Sequence, residues 1–196
     1  MGKKAIVIGA GIGGIASAIR LAHLGFETIV YETNSEPGGK IRSSQFKDYR
    51  FDMGPSVFTE PQLVDELLHL NASSTSSFSY QKLPISCNYF FEDGVKIALP
   101  SGADMVSEVL HKELGEDKAQ VYRYLKRLED NYESVYPVFI SSSLHRISHW
   151  FNKGSFGAYL RLTKYGLLTT MNDMNRNRFK NKKTIQIFNR FATYNG

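Results

Sequence analysis

The sequence predicts an α/β fold in which a βαβ unit is followed by a β-hairpin and a helical region. Two short apolar runs, residues 5–8 and 28–31, flank a stretch whose apolar residues recur at helical spacing. An Asp-Gly pair at positions 93–94 lies between two further apolar runs, which is a strong hairpin signal. Amphipathic helical patterns follow the hairpin. The 196 residues, 42% of them apolar, are enough to form a core.

The βαβ unit begins with a strand over residues 5–8, which enters a glycine-rich turn. A helix over residues 14–24 follows, and Gly25 is expected to end it. The second strand, residues 28–31, closes on Glu32 and completes the unit. The helix positions spaced for burial are Ile15, Ala18, Ile19 and Ala22.

The loop after the first strand fits the pattern G-x-G-x-x-G at Gly9, Gly11 and Gly14, with Gly13 as a further glycine. In a Rossmann-like unit the first glycine makes a tight turn, the second lets the backbone approach a pyrophosphate, and the third lets the helix pack closely. The phosphates then lie at a helix N-terminus, which favours negative charge. Glu32 can accept hydrogen bonds from ribose hydroxyls, which argues against a 2′-phosphate and so against NADP. NAD and FAD both fit this loop, and a turn that binds nothing is the alternative.

The segments that follow are predicted to form a helix, a loop and a hairpin. Residues 61–70 predict a helix that begins with proline, and the serine-rich residues 73–79 predict a surface loop. The hairpin strands, residues 87–91 and 95–99, are expected to join a larger sheet, because a lone hairpin is marginal in water.

Two helices are predicted after the hairpin. The first covers residues 101–114 and is expected to have a serine N-cap, Ser101. The second covers residues 117–136 and ends before Pro137. Its apolar stripe consists of Val121, Leu125, Leu128, Tyr132 and Val135.

A second glycine pair, Gly38 and Gly39, follows Glu32 and is itself followed by Lys40. This segment resembles the G-G-(R/K)-x-x-S motif that flavoproteins of the amine oxidase superfamily carry just after the ribose-binding acid. The resemblance implies that the dinucleotide is FAD. It also implies that the glycines allow a backbone passage beside the cofactor and that Lys40 supports its phosphate and ribose region. An ordinary Pro-Gly-Gly turn is the alternative.

Residues 49–59 resemble the F-D-x-G-P-(S/T) element of bacterial-type carotenoid desaturases, the phytoene desaturase family, in which the element lies near the flavin. Gly54 and Pro55 are therefore expected to contact the cofactor. Residues 87–94 and 188–196 resemble further stretches of this family. Within it, residues 56–59 and 193–196 look closest to enzymes that act on acyclic or hydroxylated carotenes, such as the 1-hydroxycarotenoid 3,4-desaturases.

The resemblance implies an FAD-dependent oxidoreductase that desaturates C–C bonds of a carotenoid, phytoene or a 1-hydroxycarotenoid. In such a reaction flavin accepts a hydride while a proton leaves the adjacent carbon. No catalytic base can be named, because His111, His145 and His149 lie where surface or core histidines are common. The alternatives are another flavin oxidoreductase of the superfamily, such as an amine oxidase, or an inactive FAD-binding fragment.

The resemblance also divides the chain into three parts. Residues 1–71 are expected to be the FAD-binding Rossmann-like part, residues 72–100 a loop and a hairpin of the substrate sheet, and residues 101–196 a helical, membrane-facing substrate subdomain. Because family members are considerably longer, we expect a fold that is incomplete at the C-terminus and inactive by itself.

Positive charge is concentrated in the last quarter of the chain. From residue 151 onward there are nine Lys or Arg and one acidic residue, Asp173, a net charge of +8, whereas the rest carries −3. Aromatic and aliphatic residues alternate with these cations over residues 150–168, which is typical of a segment that faces anionic lipid. The alternative is a packed aromatic face with solvated cations.

The remaining composition limits the compartment and the partners. The basic residues 176–183 include one aromatic residue and no nucleic-acid motif, so a nucleic acid is not expected as a partner. A single cysteine, Cys87, indicates a reducing compartment and offers no metal cluster. We therefore expect a cytoplasmic protein that is peripherally associated with a membrane surface and takes a carotenoid substrate, of undetermined oligomeric state.

Overall fold

The computed structural model describes residues 2–55, 58–70, 78–137, 145, 166 and 169–195. The chain forms two compact units, Met1–Lys82 and Leu83–Gly196. The first is built on a βαβ unit, and the second on a hairpin covered by helices. The predicted α/β class with its Rossmann-like unit is confirmed. The predicted membrane-facing residues 150–168, except Gly166, and the serine-rich residues 73–77 lie outside the described residues.

The βαβ unit consists of β1 (Lys4–Ile8), α1 (Ile12–His23) and β2 (Glu27–Tyr31). The two strands are parallel, with Lys4 opposite Glu27 and Ile8 opposite Tyr31. Helix α1 ends as predicted at Gly25, whose φ is +84°. The Gly25 N–H donates to the Ala22 carbonyl at 2.9 Å and the Phe26 N–H donates to the Leu21 carbonyl at 3.1 Å. This pair of bonds is a Schellman motif, which glycine favours because it lacks a Cβ.

Helix α1 buries less of its surface than its sequence predicts. Ala18 and Ile19 are half-buried, whereas Ile15 and Ala22 are exposed. Among the described residues, α1 packs on a sheet of only two strands. Such a narrow sheet covers little of the helix surface. The apolar spacing therefore predicts the helix correctly but overestimates how much of its stripe is covered.

The first unit continues with a hairpin that the sequence does not predict, β3 (Ser43–Phe46) and β4 (Tyr49–Asp52). Its two-residue turn places Lys47 at φ +52°, a conformation usually reserved for Gly or Asn. Helix α2 (Gln62–His69) follows Pro61, as predicted.

The second unit begins with an antiparallel hairpin, β5 (Ile85–Phe90) and β6 (Lys96–Pro100). Helices α3 (Ala103–Leu114), α4 (Lys118–Val135), α5 (Met171–Arg176) and α6 (Lys182–Asn189) follow, with a short 3-10 helix over Arg190–Asn195. No third strand pairs with the hairpin among the described residues, so the expected larger sheet is not seen there. Instead, the helices cover its apolar face.

The core of the second unit joins the hairpin to the helices. Its buried apolar residues are Ile97, Leu99, Val106, Leu110, Val121, Tyr124, Phe179, Ile187 and Phe188. Because hairpin and helices contribute to one cluster, burial against helices supplies the stability that a lone hairpin lacks.

The helix ends include one correction. Gly102, at φ +94°, occupies the N-cap of α3 without a side-chain hydrogen bond, so the expected Ser101 cap is wrong. Asp117 caps α4 and accepts from the Gln120 N–H at 2.7 Å. The stripe on α4 is buried only near its beginning, since Leu128 is 40% and Tyr132 46% exposed.

Candidate dinucleotide site

The loop between β1 and α1 is held by its glycines. The Gly9 N–H donates to the Tyr31 carbonyl at 2.7 Å, and Gly9 has φ +95°, where a side chain would be strained. A Cβ on Gly14 would lie 1.9 Å from the Gly9 carbonyl oxygen and 3.5 Å from Val7 Cγ1. A Cβ on Gly13, by contrast, would meet nothing within 4 Å. The loop geometry therefore requires glycine at 9 and 14 but not at 13.

The N-terminus of α1 offers an electropositive binding surface. Gly11 is its N-cap, has no side chain to accept a hydrogen bond, and no acidic residue lies in the first turn. The first N–H groups of a helix have no partner within the helix, and its dipole makes this end positive. The residues present here therefore fit a pyrophosphate.

The second glycine pair lies directly against the first loop. The Gly38 N–H donates to the Ala10 carbonyl at 2.8 Å, and Gly38 forms a parallel bridge with Gly11. Gly38 and Gly39 have φ of +117° and +62°. A Cβ on Gly39 would lie 3.1 Å from Gly11 Cα. The two glycine segments therefore approach each other closely, and a side chain at position 39 would be tightly placed against Gly11.

Glu32 lies beside the same loop and is held by three hydrogen bonds. Its Oε1 accepts from the Asn34 N–H at 2.9 Å and from Asn34 Nδ2 at 2.7 Å, and its Oε2 accepts from the Ala10 N–H at 2.6 Å. The backbone bond from Asn34, then that from Ala10, then the Asn34 side chain lower the pKa of Glu32 to about 2. Glu32 therefore remains an ionised acceptor at neutral pH, which suits ribose hydroxyls and repels a 2′-phosphate.

A groove of about 430 Å³ brings together the other predicted site residues. A Cβ on Gly54 would lie 2.7 Å from the Lys40 carbonyl oxygen, so these two segments touch. Ser56, which completes the F-D-x-G-P-S element, lies outside the described residues. The residues that line the groove are Asn34, Gly39, Lys40, Arg42, Met53, Gly54 and Pro55.

Comparison with known proteins relates this geometry to a family. Residues 7–69 match the family model described as an NAD(P)-binding Rossmann-like domain. A 1-hydroxycarotenoid 3,4-desaturase from Flavobacterium sp. is 38% identical over 99% of this chain and 40% of its own length. A 4,4'-diaponeurosporene oxygenase from Staphylococcus aureus is 30% identical over 100% of this chain and 39% of its own length. This chain is similar to carotenoid desaturases and related carotenoid oxygenases over its whole length. It spans about 40% of the length of these relatives.

A solved structure is similar to this chain in its fold. A putrescine oxidase variant, redesigned in its cofactor binding, superposes with a TM-score of 0.50 at 14% identity, over 94% of this chain and 35% of that chain. At this identity the similarity concerns the fold alone. The resemblance to carotenoid desaturases that the two glycine segments and residues 49–59 indicate is confirmed, and it supports FAD as the dinucleotide.

Three residues of this chain lie at the candidate site although the sequence does not predict them there. Ala10 contributes only its backbone groups, so no side chain signals it. Asn34, two residues after Glu32, was recognisable as an amide close to the ribose acid. Arg42 lies within the second glycine motif and lines the groove beside Lys40. Two cations in one groove favour an anionic ligand.

Of the three histidines considered in the sequence, the two that the structure describes, His111 and His145, offer no candidate base. His111 Nδ1 lies 2.7 Å from the Glu116 carbonyl oxygen at the end of α3, which is a structural contact. His145 is exposed and His149 lies outside the described residues. Among the described helices, none combines the length and the apolar character that a membrane span requires.

Proposed function

We propose that the complete protein is an FAD-dependent oxidoreductase that desaturates C–C bonds of a carotenoid. The observation that carries the proposal is the contact between the two glycine segments at the N-terminus of α1, with the ionised Glu32 beside them. The names of the relatives, a 1-hydroxycarotenoid desaturase and a diaponeurosporene oxygenase, supply the substrate class.

Each part of the proposed site has a defined task. The α1 N-terminus, through Gly9, Gly11, Gly13 and Gly14, binds the pyrophosphate, and Glu32 accepts from the adenosine ribose. Gly38, Gly39, Lys40, Gly54 and Pro55 line the path of the cofactor, and Lys40 with Arg42 offsets its charge. When bound, FAD supplies the acceptor for the hydride removed from the substrate.

The second unit is proposed to be the substrate-binding part. An apolar cavity of about 420 Å³ opens between α4, α5 and the 3-10 helix, next to the core. Its walls include Leu125, Leu128, Met174 and Phe188, and flexible methionines suit a long hydrocarbon. This cavity supports a role in contacting a carotenoid, and the domain boundaries expected from the resemblance remain a prediction.

The test of the proposed function uses the full-length protein and two measurements. Purified protein is expected to retain FAD, seen as flavin absorbance after gel filtration, and to convert an acyclic or 1-hydroxylated carotene into a product with a longer conjugated system. Retention of FAD with oxidation of an amine instead of a carotene would assign the protein to another branch of the superfamily. Failure to retain FAD would contradict the proposal altogether.

We further propose peripheral attachment to the cytoplasmic face of a membrane through the basic C-terminal quarter, because carotenoids dissolve in bilayers. The net charge of +8 beyond residue 150 supports attraction to anionic lipid. The protein is expected to cosediment with phosphatidylserine vesicles, and neutralising Arg161, Lys164 and Arg176 together should abolish this. Equal sedimentation of this variant and the unmodified protein would contradict the idea.

A further inference from the structure

Asn34 provides two of the three hydrogen bonds that hold Glu32. Its backbone N–H and its side-chain Nδ2 both donate to Oε1, at 2.9 and 2.7 Å. A carboxylate has about four lone-pair positions, two on each oxygen. The two donors of Asn34 therefore fill Oε1.

The other carboxylate oxygen of Glu32, Oε2, has a different partner. Oε2 accepts from the Ala10 N–H at 2.6 Å, and Ala10 is 7% exposed in the glycine loop. Oε2 therefore lies against the pyrophosphate-binding loop.

From this arrangement we infer that Asn34 is a positioning residue that turns Glu32 so that Oε2 meets the adenosine ribose. The inference rests on the proposed binding of FAD and deepens it. Without the Nδ2 donor, the carboxylate could rotate about its side-chain bonds, and the ribose acceptor would be less well ordered. In this scheme Asn34 acts on the ribose through Glu32, by the bond from Nδ2 to Oε1.

The test compares FAD binding by apo-forms of the full-length protein. Asn34→Ala keeps the backbone bond and removes the side-chain bond, and we expect FAD to bind roughly tenfold more weakly, the loss typical of one hydrogen bond to a charged group. Asn34→Asp places a second carboxylate against Oε1 and should weaken binding further. Asn34→Ser retains a short donor and should restore part of the affinity. Ser35→Ala, at the neighbouring exposed position, is the matched control and should bind FAD normally.

A second measurement separates positioning from a general structural effect. The loss caused by Asn34→Ala should disappear in a Glu32→Ala background, and it should also disappear when the competing probe is 2′,3′-dideoxy-ADP instead of ADP. An equal loss in both backgrounds and with both probes would overturn the inference, as would normal FAD binding by Asn34→Ala. If the unmodified protein binds neither FAD nor ADP, the proposed function fails as well. These outcomes therefore separate the two proposals.

Discussion

At the scale of residues, the site depends on contacts that only some glycines make. Gly14 faces the Gly9 carbonyl, whereas Gly13 faces open space. The pattern of glycines in the sequence identifies both, but it cannot tell which is required, because that depends on the backbone path of the loop.

We therefore expect opposite results from two matched substitutions. Gly14→Ala places a Cβ 1.9 Å from a backbone oxygen and should cost about 1–3 kcal/mol of unfolding free energy, with loss of bound FAD. Gly13→Ala lies within α1 without a steric conflict and should leave stability equal or slightly raised, because alanine favours helix. Thermal unfolding measures the difference. Equal stability of the two variants would show that the loop relaxes around a side chain at position 14.

The pKa of Glu32 gives a prediction for acid unfolding. Because hydrogen bonds lower this pKa from 4.5 to about 2, the ionised carboxylate stabilises the folded state above pH 4.5. This contribution is lost as pH falls from 4.5 towards 2, where the folded carboxyl takes up its proton. In the Glu32→Gln variant, the unfolding free energy should therefore decrease less than in the unmodified protein as the pH is lowered through this window. Glu36→Gln is the control, and an identical pH profile for Glu32→Gln and the unmodified protein would contradict the assignment.

The residues of the site differ in how far their roles can be predicted from the sequence. Glu32 and the glycines are recognisable by type and spacing. The part played by Ala10 is not, because its contacts with Glu32 and Gly38 use backbone N–H and carbonyl groups that any residue possesses.

At the scale of elements, local turn and cap chemistry decided what could be predicted. The β5–β6 hairpin was predicted because Asp93-Gly94 favours the turn, and Gly94 has φ +84°. The β3–β4 hairpin was not predicted, because its turn uses Lys47 at positive φ. Helices α5 and α6 lie in a polar stretch with weak apolar periodicity. Their caps, Thr170 and Asn181, were the available signals.

The packing of the hairpin on the helices predicts a strong contrast between two truncations. Ile97 on β6 is 2% exposed, and Ile97→Ala should cost about 2–5 kcal/mol through lost burial and a cavity. Phe90 on β5 is 73% exposed, so Phe90→Ala should cost less than about 1 kcal/mol although it removes more atoms. Urea unfolding measures both. A larger loss at Phe90 would contradict the burial described here.

At the scale of the whole molecule, the β1–β2 sheet has one covered and one exposed face within the part of the chain that the structure describes. Ala5 and Val7 are half-buried on the face towards α1. The opposite face exposes Ile6, Ile8, Ile29 and Tyr31, with Ile8 88% exposed. Parallel sheets in α/β proteins are normally covered on both faces. The chain spans about 40% of the length of its relatives, and we expect that in a protein of their length further residues cover this face.

One substitution measured in two contexts tests this expectation. In the 196-residue chain, Ile8→Ser should change unfolding free energy by less than about 0.5 kcal/mol, because the side chain is 88% exposed. In the complete protein, the same change should cost about 1–3 kcal/mol, the value for a buried aliphatic side chain. Equal effects in the two contexts would mean that the face stays bare.

The hydrogen bonds around Glu32 also have a kinetic consequence. They form within the chain itself, so the carboxylate and the glycine loop are ordered before any dinucleotide arrives. The conformational entropy of ordering them is lost during folding, and binding need not lose it again. Uptake of the adenosine half should therefore resemble the docking of two rigid bodies, with a single-phase association rate that rises linearly with FAD concentration.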